Sequence, residues 1–221
     1  MPKGLIKREV AARVLIGLFV AQGAWGGTIE GRVTGGNASE DLSNIVVSVE
    51  DLDGPLPSPK TPAAKEMNQE ALRFVPHVLP ILVGTAVEFP NSDPVSHNVF
   101  SISEAKRFNL GLYGRGVKRT IRFDRPGVVE LLCNVHMEMS AYIVVLKNPF
   151  FSLANGDGSF RIAGVPAGRH RVRCWDERQP ARELDVDVPS EGSVSVNCDF
   201  RSPSHENKNS RGSGKIVSGG K

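Results

Sequence analysis

Short runs of alternating apolar and polar residues, each closed by a turn-forming residue, recur through most of this 221-residue chain. A period of two places successive side chains on opposite faces of a strand, and no stretch after the N-terminus sustains the 3.6-residue period of a helix. The pattern predicts an all-β protein of antiparallel strands, with at most one short helix near residues 101–108. The clearest runs are Thr85–Phe89, Asn98–Ile102, Val117–Phe123, Val128–Cys133 and Ala141–Leu146.

Two β-branched runs precede this region. They cover Thr28–Val33 and Ile45–Leu52, and the residues Gly35, Gly36 and Asn37 lie between them. Glycine and asparagine adopt the backbone conformations that tight turns require. The segment therefore predicts a hairpin or two neighbouring strands, which we assign to a first unit over residues 27–147.

A second and smaller unit is expected over residues 148–200. The run Phe151–Leu153, the turn residues Asn155–Gly158 and the run Ser159–Ile162 form the pattern of a β-hairpin. Further alternating runs predict the remaining strands of a small sandwich. These runs are Arg169–Trp175, Ala181–Val188 and Ser193–Phe200.

The N-terminus has the features of an export signal. Four basic residues precede the apolar run Val14–Ala21, and the small residues Ala24 and Gly26 follow. An apolar run of this length suits a secretory signal peptide and is short for a membrane span. We expect residues 1–26 to be removed and the protein to be periplasmic or secreted, an uncleaved anchor being the alternative. No later segment predicts a membrane span in the mature chain.

Charge is distributed unevenly along the chain. The formal net charge is +3, of which residues 1–26 carry +3, the tail 201–221 carries +4 and the body 27–200 carries −4. Nucleic-acid-binding proteins usually carry a basic stripe on their folded body, whereas the body of this chain is net negative. A nucleic-acid partner is therefore not expected. The tail is rich in Ser, Gly, Lys and Asn, which predicts a disordered segment.

The three cysteines fall into two groups. Alternation places Cys174 on one strand face with His170 and Val172, and Cys198 on one face with Val196. Both cysteines thus lie on inward faces of the second unit, as a disulfide or as two packed thiols. An odd count in an exported protein leaves one thiol without an internal partner, and this is Cys133.

Cys133 begins a seven-residue loop that combines three kinds of metal-binding side chain. His136, Met137 and Met139 follow it at the end of a predicted strand. Thiolate and imidazole ligands with a weak thioether form the set that holds mononuclear copper in electron-transfer sites. The alternatives are a buried cysteine with core-filling methionines, or a thiol nucleophile activated by His136.

The loop lacks one imidazole, which a distant strand must supply. His97 follows a turn at the mouth of a predicted strand, where a sandwich can present a ligand to a neighbouring loop. His77 is the fallback ligand, or a packing or outer-shell residue. Each ligand ring also needs a hydrogen-bond partner on its other nitrogen. The nearby candidates for that role are Asn91, Asp93 and Asn98.

Several of these segments resemble one family. Val87–Asp93 running into His97–Ser101, then Phe123–Gly127 and Cys133–His136, are similar to motifs of the cupredoxins, the plastocyanin-like blue copper proteins. More narrowly, the chain resembles exported bacterial proteins described as methylamine utilisation or plastocyanin-like proteins. In that group a copper domain precedes a carboxypeptidase-regulatory-like domain.

The second unit resembles that regulatory-like domain. Its matching segments are Gly158–Ile162, Val165–Gly168 and Val172–Trp175. The resemblances together imply a Greek-key cupredoxin sandwich followed by a small transthyretin-like sandwich. The second domain would then serve as an interaction or stabilising module without chemistry of its own.

The family resemblance implies one mononuclear copper site. His97, Cys133 and His136 would be the equatorial ligands, with a methionine as the axial one. Plastocyanin-like proteins usually place that methionine five residues after the loop histidine, where this chain has Ala141. Met139 matches the shorter loop of the narrower group and is our choice.

Two neighbours of Met139 are alternative ligands. Met137 follows His136 directly and would point away from the metal. Glu138 would supply an oxygen, which favours Cu(II) and lowers the reduction potential.

We therefore expect an exported, type 1-like copper protein that carries one electron between partners and is not an enzyme. Its redox partner, such as an exported cytochrome or oxidoreductase, is unidentified. The alternatives are a copper trafficking or storage protein, and a metal-free scaffold of two sandwiches for binding or adhesion.

Overall fold

The computed structural model describes residues 26–35, 41–50, 52 and 62–201. Within them the chain forms strands and no helix, so the all-β prediction is confirmed. The prediction allowed at most one short helix near residues 101–108, and the structure has a turn at residues 104–105 there, followed by a strand from Phe108. Except for Gly26 and Arg201, the predicted signal peptide and tail lie outside the described residues. In this part of the chain nothing helical is long and apolar enough to cross a bilayer.

The strands are β1 (Gly26–Thr34), β2 (Val46–Val49), β3 (Lys65–Glu66), β4 (Asn68–Glu70), β5 (Arg73–Val75), β6 (Val78–Leu82), β7 (Thr85–Pro90), β8 (His97–Ser101), β9 (Phe108–Tyr113), β10 (Lys118–Phe123), β11 (Gly127–Leu132), β12 (Ser140–Leu146), β13 (Phe151–Leu153), β14 (Ser159–Pro166), β15 (Gly168–Asp176), β16 (Gln179–Val188) and β17 (Ser193–Asp199).

The first sandwich is built from a five-stranded and a three-stranded sheet. Their strand orders are β6-β12-β11-β8-β9 and β10-β7-β3, and the hairpin β4-β5 lies beside them. Alternate residues of each strand point inward, so Val87 and Phe89 of β7 meet Leu131 of β11 and Ile143 of β12 in one core. Burial of these side chains is the main force holding the two sheets together.

The second sandwich pairs the sheet β13-β2-β15-β16 with the sheet β14-β1-β17. Its core contains Ile29, Val47, Phe160 and Val172, all at most 4% exposed. The inward face predicted for Arg169–Trp175 is confirmed, because alternate residues of β15 are buried. Most strand pairs are antiparallel as predicted, but β1–β17, β12–β6 and β3–β7 are parallel.

The predicted boundary of the first unit is corrected at its N-terminal end. Strands β1 and β2 do not form the predicted hairpin with each other, since β1 pairs with β14 and β17 while β2 pairs with β13 and β15. Residues 26–49 therefore belong with the second sandwich rather than with a unit over 27–147. Alternation identifies a strand and its inward face but carries no information about its distant partner.

The hairpin predicted around Asn155–Gly158 is also corrected. The turn itself is present, with the amide of Gly158 donating to the carbonyl of Asn155 at 2.8 Å. The flanking strands separate after it, because β13 joins β2 while β14 joins β1 in the opposite sheet. The turn thus connects the two sheets of the sandwich.

A small apolar cluster lies between the two sandwiches. Val46 of the second sandwich packs with Val78 and Val144 of the first, and Tyr142 and Trp175 border them. The rings of Tyr142 and Trp175 make an edge contact with centroids 5.5 Å apart. This cluster explains why Val46 is buried although it faces away from the core of its own sandwich.

Candidate metal centre

Three potential ligands from two parts of the chain meet at one end of the first sandwich. His97 begins β8, Cys133 follows β11, and His136 lies in the loop between β11 and β12. Nδ1 of His97 is 3.0 Å from Nδ1 of His136, and one ring nitrogen of each histidine and the Cys133 sulfur all lie within 4.8 Å of one another. His97 and Cys133 are buried, whereas His136 is partly exposed.

Backbone hydrogen bonds hold the loop 133–139 closed. The amide of Cys133 donates to the carbonyl of Met139 at 3.3 Å, and the amide of Met139 donates to the carbonyl of His136 at 3.0 Å. The loop spans the ends of two antiparallel neighbours, in which Leu132 is opposite Ser140. Cys133 and His136 are therefore held by strands that the core already fixes.

The loop presents its two methionines differently. Met139 is 1% exposed and belongs to the same core cluster as Cys133. Met137 is 89% exposed, and Glu138 is also exposed. Of the three candidates for an axial ligand, only Met139 is buried, and it belongs to the core cluster that contains Cys133.

A buried carboxylate orients His97. Nε2 of His97 lies 2.7 Å from Oδ2 of Asp93, which is four residues earlier in the turn before β8. With Nε2–H donated to the carboxylate, Nδ1 of His97 retains its lone pair and faces His136. Among the three outer-shell candidates, Asp93 is thus the one that binds the ring.

The same carboxylate holds the turn between β4 and β5. Its oxygens accept hydrogen bonds from the amides of Ala71 at 2.6 Å and Leu72 at 3.0 Å. Burial opposes ionisation of Asp93, but the Leu72 amide, the His97 ring and the Ala71 amide outweigh burial and lower its pKa below the usual value. Asp93 therefore remains a carboxylate, the form that accepts all three hydrogen bonds.

Ala71 and Leu72 are the part of the site that the sequence did not predict. Both have left-handed backbones, with φ of 52° and 59°. Gly, Asn or Asp usually occupies such positions, so Ala and Leu carry no turn signal. The hydrogen bonds to Asp93 compensate for this strain.

Asn91 supports the site one step further out. Its side-chain amide donates to the carbonyls of Val95 at 2.9 Å and Tyr113 at 3.0 Å, and its oxygen accepts from the amide of Asp93 at 2.9 Å. Asn91 thus shapes the loop that carries Asp93. Asn98 has a different role, since its Nδ2 donates to Oδ1 of Asn134 at 3.2 Å and ties β8 to the residue after Cys133.

The fallback ligand His77 lies elsewhere. Its Nε2 is 2.7 Å from Oε1 of Glu177, and its ring makes an edge contact with Tyr142. His77 belongs to the first sandwich and Glu177 to the second, so the pair links the two. His77 is a packing residue at this boundary and is not among the clustered metal-binding atoms of the described residues.

The other two cysteines form a disulfide. Cys174 lies on β15 and Cys198 on β17, with Cα atoms 6.5 Å apart. These strands belong to opposite sheets, so the bond crosses the core of the second sandwich. Of the two arrangements that the sequence left open, the structure has the disulfide, and Cys133 is the free thiol.

The donor set fits a soft, redox-active ion. One thiol, two imidazole nitrogens that face each other and a buried thioether on the same loop as the thiol are the ligand types of mononuclear electron-transfer copper sites. The hydrogen bond between the two imidazoles requires a proton on one Nδ1, which a bound metal ion would replace. Copper would be held by Cys133, His97 and His136, with Met139 beside them.

No protein-family model matches the chain, and no curated protein matches it. Solved structures with a partial likeness include a novel purple cupredoxin from Nitrosopumilus maritimus, which is 27% identical over 37% of this chain and 98% of that chain, with a TM-score of 0.34. A reduced tryptophan-to-tyrosine variant of amicyanin is 16% identical over 45% of this chain and 97% of that chain, with a TM-score of 0.36.

A copper-containing nitrite reductase, NirK from Thermus scotoductus SA-01, is 25% identical over 45% of this chain, with a TM-score of 0.37. The match spans a quarter of the reductase chain. Likenesses with TM-scores below 0.5 do not support the assignment of the metal centre. That assignment depends on the arrangement of its own side chains.

Proposed function

We propose that this protein is an exported one-electron carrier with a single type 1-like copper site. The observation that carries the proposal is the meeting of His97, Cys133 and His136 at one buried position, with their ligand atoms within 4.8 Å. Bound there, copper would alternate between Cu(II) and Cu(I). We assign no enzymatic activity to the chain.

The surroundings of the ligands favour electron transfer. Cys133 and Met139 belong to the packed core of the first sandwich, and His97 is fully buried. Closely packed protein interiors resist displacement of their side chains. A rigid ligand set lets an electron enter or leave with little rearrangement, which is the requirement for fast transfer.

His136 is the proposed port for electrons. Its side chain is partly exposed, and the neighbouring Val135 and Met137 are 49% and 89% exposed. An apolar surface around a partly exposed ligand allows close, water-free contact with a partner. The partner would be another exported redox protein, such as a cytochrome or an oxidoreductase.

Export is part of the proposal. It is supported by the predicted signal peptide over residues 1–26 and by the Cys174–Cys198 disulfide, because disulfides persist in oxidising compartments. The second sandwich would stabilise the first or bind other molecules. Its contacts through Val46 and Trp175 support a close association of the two.

Visible absorption and electron-spin-resonance spectra of the Cu(II)-loaded protein test the proposal. We expect an intense thiolate-to-copper band that is lost in Cys133→Ala and retained in Met137→Leu, an exposed position on the same loop. A weak band unaffected by Cys133→Ala would contradict the thiolate ligand. Readily exchanged Cu(I) with slow electron transfer to cytochromes would favour trafficking or storage, and failure to bind copper would favour a metal-free scaffold.

A further inference from the structure

One edge of the first sandwich carries an unusual concentration of positive charge. Residues 104–125 contain seven Lys or Arg and two acidic residues, whereas the body 27–200 has a net charge of −4. Four of these cations lie on or beside β10, and their side chains are exposed. We call them the basic flank: Arg115, Lys118, Arg119 and Arg122.

The basic flank is only partly neutralised by the protein itself. Lys118 pairs with Glu88 at 2.8 Å, and Arg122 donates to the carbonyl of Gly84. Neither Arg115 nor Arg119 forms an ion pair with any described residue, although Arg119 lies 5.9 Å from the centre of the Tyr113 ring. Two exposed guanidinium groups are thus available to an external anion.

The arginines of one sheet in the second sandwich are paired with carboxylates. On the second sandwich, Arg169 lies 2.9 Å from Asp185 and Arg173 lies 3.4 Å from Glu183 across the strands β15 and β16. This cross-strand ladder satisfies its own charges, as exposed sheet surfaces commonly do. Arg115 and Arg119 differ from the arginines of this ladder, which face carboxylates on the neighbouring strand.

The basic flank adjoins the metal centre. Tyr113, two residues before Arg115, is opposite His97 in the β8–β9 pair. The turn that follows is anchored to the same loop, because the amide of Gly116 donates to the carbonyl of Asn91 at 2.8 Å. Exposed apolar side chains lie on this part of the chain, with Leu112 64% and Val117 40% exposed.

We propose that the basic flank is the docking surface for the acidic face of a redox partner protein. This inference rests on the proposed function and names the chemistry of the partner. Opposite charges steer two proteins into the correct orientation and raise the rate of encounter. Arg115 and Arg119 would bind carboxylates at the edge of the partner's contact surface. Val135 and Met137, the exposed apolar neighbours of His136, would make the close contact.

The first test does not depend on copper. Paramagnetic hexacyanochromate(III) is added to the metal-free protein, and broadening of backbone amide NMR signals is mapped. We expect broadening centred on residues 114–120 that fades with added salt, because ions screen exposed charges over about 10 Å at about 0.1 M. The double variant Arg115→Gln/Arg119→Gln should lose it, and the matched control Arg169→Gln/Arg173→Gln should retain it.

The proposal is overturned if the broadening is spread evenly over the surface, or if both double variants respond alike. Because copper is not required, this result separates the fate of the basic flank from that of the copper site. A protein that binds the anion at the basic flank but takes up no copper would refute the proposed function and leave this surface without an electron-transfer role.

The second test compares two partners of opposite surface charge. Electron transfer from the reduced copper protein is measured to cytochrome c and to the same cytochrome after succinylation of its lysines. At low salt we expect faster reaction with the succinylated form, and a loss of about tenfold in Arg115→Gln/Arg119→Gln but not in the control variant. Faster reaction with the unmodified cytochrome would overturn the proposal.

An anionic membrane is the competing occupant of this surface. Sedimentation with vesicles containing phosphatidylglycerol distinguishes it, with phosphatidylcholine vesicles as the reference. If vesicle binding is unchanged in Arg115→Gln/Arg119→Gln, other basic segments bind the lipid and the basic flank does not. That result supports a protein partner for the basic flank. Binding that is lost in this double variant alone would overturn the proposal in favour of a lipid surface.

Discussion

The carboxylate of Asp93 binds the ring of His97 at 2.7 Å, and the two residues are buried together at the metal-binding end of the first sandwich. The same carboxylate holds the left-handed turn at Ala71 and Leu72. One side chain thus couples the conformation of the β4–β5 hairpin to the orientation of a proposed ligand. Small changes at Asp93 should therefore affect both stability and metal binding.

Replacing Asp93 with Asn should weaken copper binding. Asparagine keeps one acceptor oxygen and replaces the other with a donor, so it cannot accept from the His97 ring and both amides. Loss of such outer-shell partners typically lowers metal affinity by about 10- to 100-fold. Competition with a copper chelator measures the change.

A second variant separates the two roles of Asp93. Adding Ala71→Gly and Leu72→Gly to Asp93→Asn should restore stability, because glycine adopts the left-handed conformation without strain. Copper affinity should remain low. Recovery of both properties would show that Asp93 acts only through the turn.

Met139 and Met137 should differ in their effect on the reduction potential. Met139 is buried in the core cluster that contains Cys133, so Met139→Leu would remove the proposed axial thioether and change the relative affinity for the two copper states. We expect the potential to rise by about 60 mV or more, which is a tenfold change in that ratio. Voltammetry should find Met137→Leu unchanged, and equal shifts in both variants would contradict the assignment.

Removing the disulfide should destabilise the second sandwich. Cys174 and Cys198 are 24 residues apart and join opposite sheets. The double variant Cys174→Ala/Cys198→Ala should lose about 2–5 kcal/mol of unfolding free energy in urea titrations. The absorption of bound copper should persist below the unfolding transition, because the metal centre lies in the other sandwich.

Tyr113 should make stability sensitive to alkaline pH. The pKa of its hydroxyl is raised from 10.0 to about 12, mainly because the group is buried. The unfolded chain then loses this proton at lower pH than the folded chain, so the stabilisation is complete below pH 10 and is lost as pH rises through about 12. Urea titrations across this range should show a flatter profile for Tyr113→Phe, and identical profiles would contradict the assignment.

His77→Gln should leave the copper spectrum unchanged. His77 pairs with Glu177 across the boundary between the sandwiches and is partly exposed. Loss of this partly exposed contact should cost about 1 kcal/mol in thermal or urea unfolding. A loss of copper in this variant, with copper retained in His97→Gln, would show that His77 rather than His97 is the ligand.

The sequence alone predicted the features that depend on residues close together in the chain, namely strand faces and loops. The strand faces of Cys174 and Cys198 followed from a period of two, because neighbouring side chains on a strand must point to opposite faces. The loop from Cys133 to Met139 could likewise be recognised, since its donor atoms are close in the chain. The nomination of His97 over His77 depended on the turn before it.

Long-range pairing was decided only in three dimensions. The run beginning at Thr28 reads as a strand, but its position between β14 and β17 depends on residues more than a hundred positions later. The choice of Asp93 among three polar neighbours of His97 depends on how the loop packs, and no local signal marks Ala71 and Leu72 as a turn. A sequence specifies local conformation by sterics, whereas distant contacts are selected by which arrangement buries the apolar faces and satisfies the buried polar groups together.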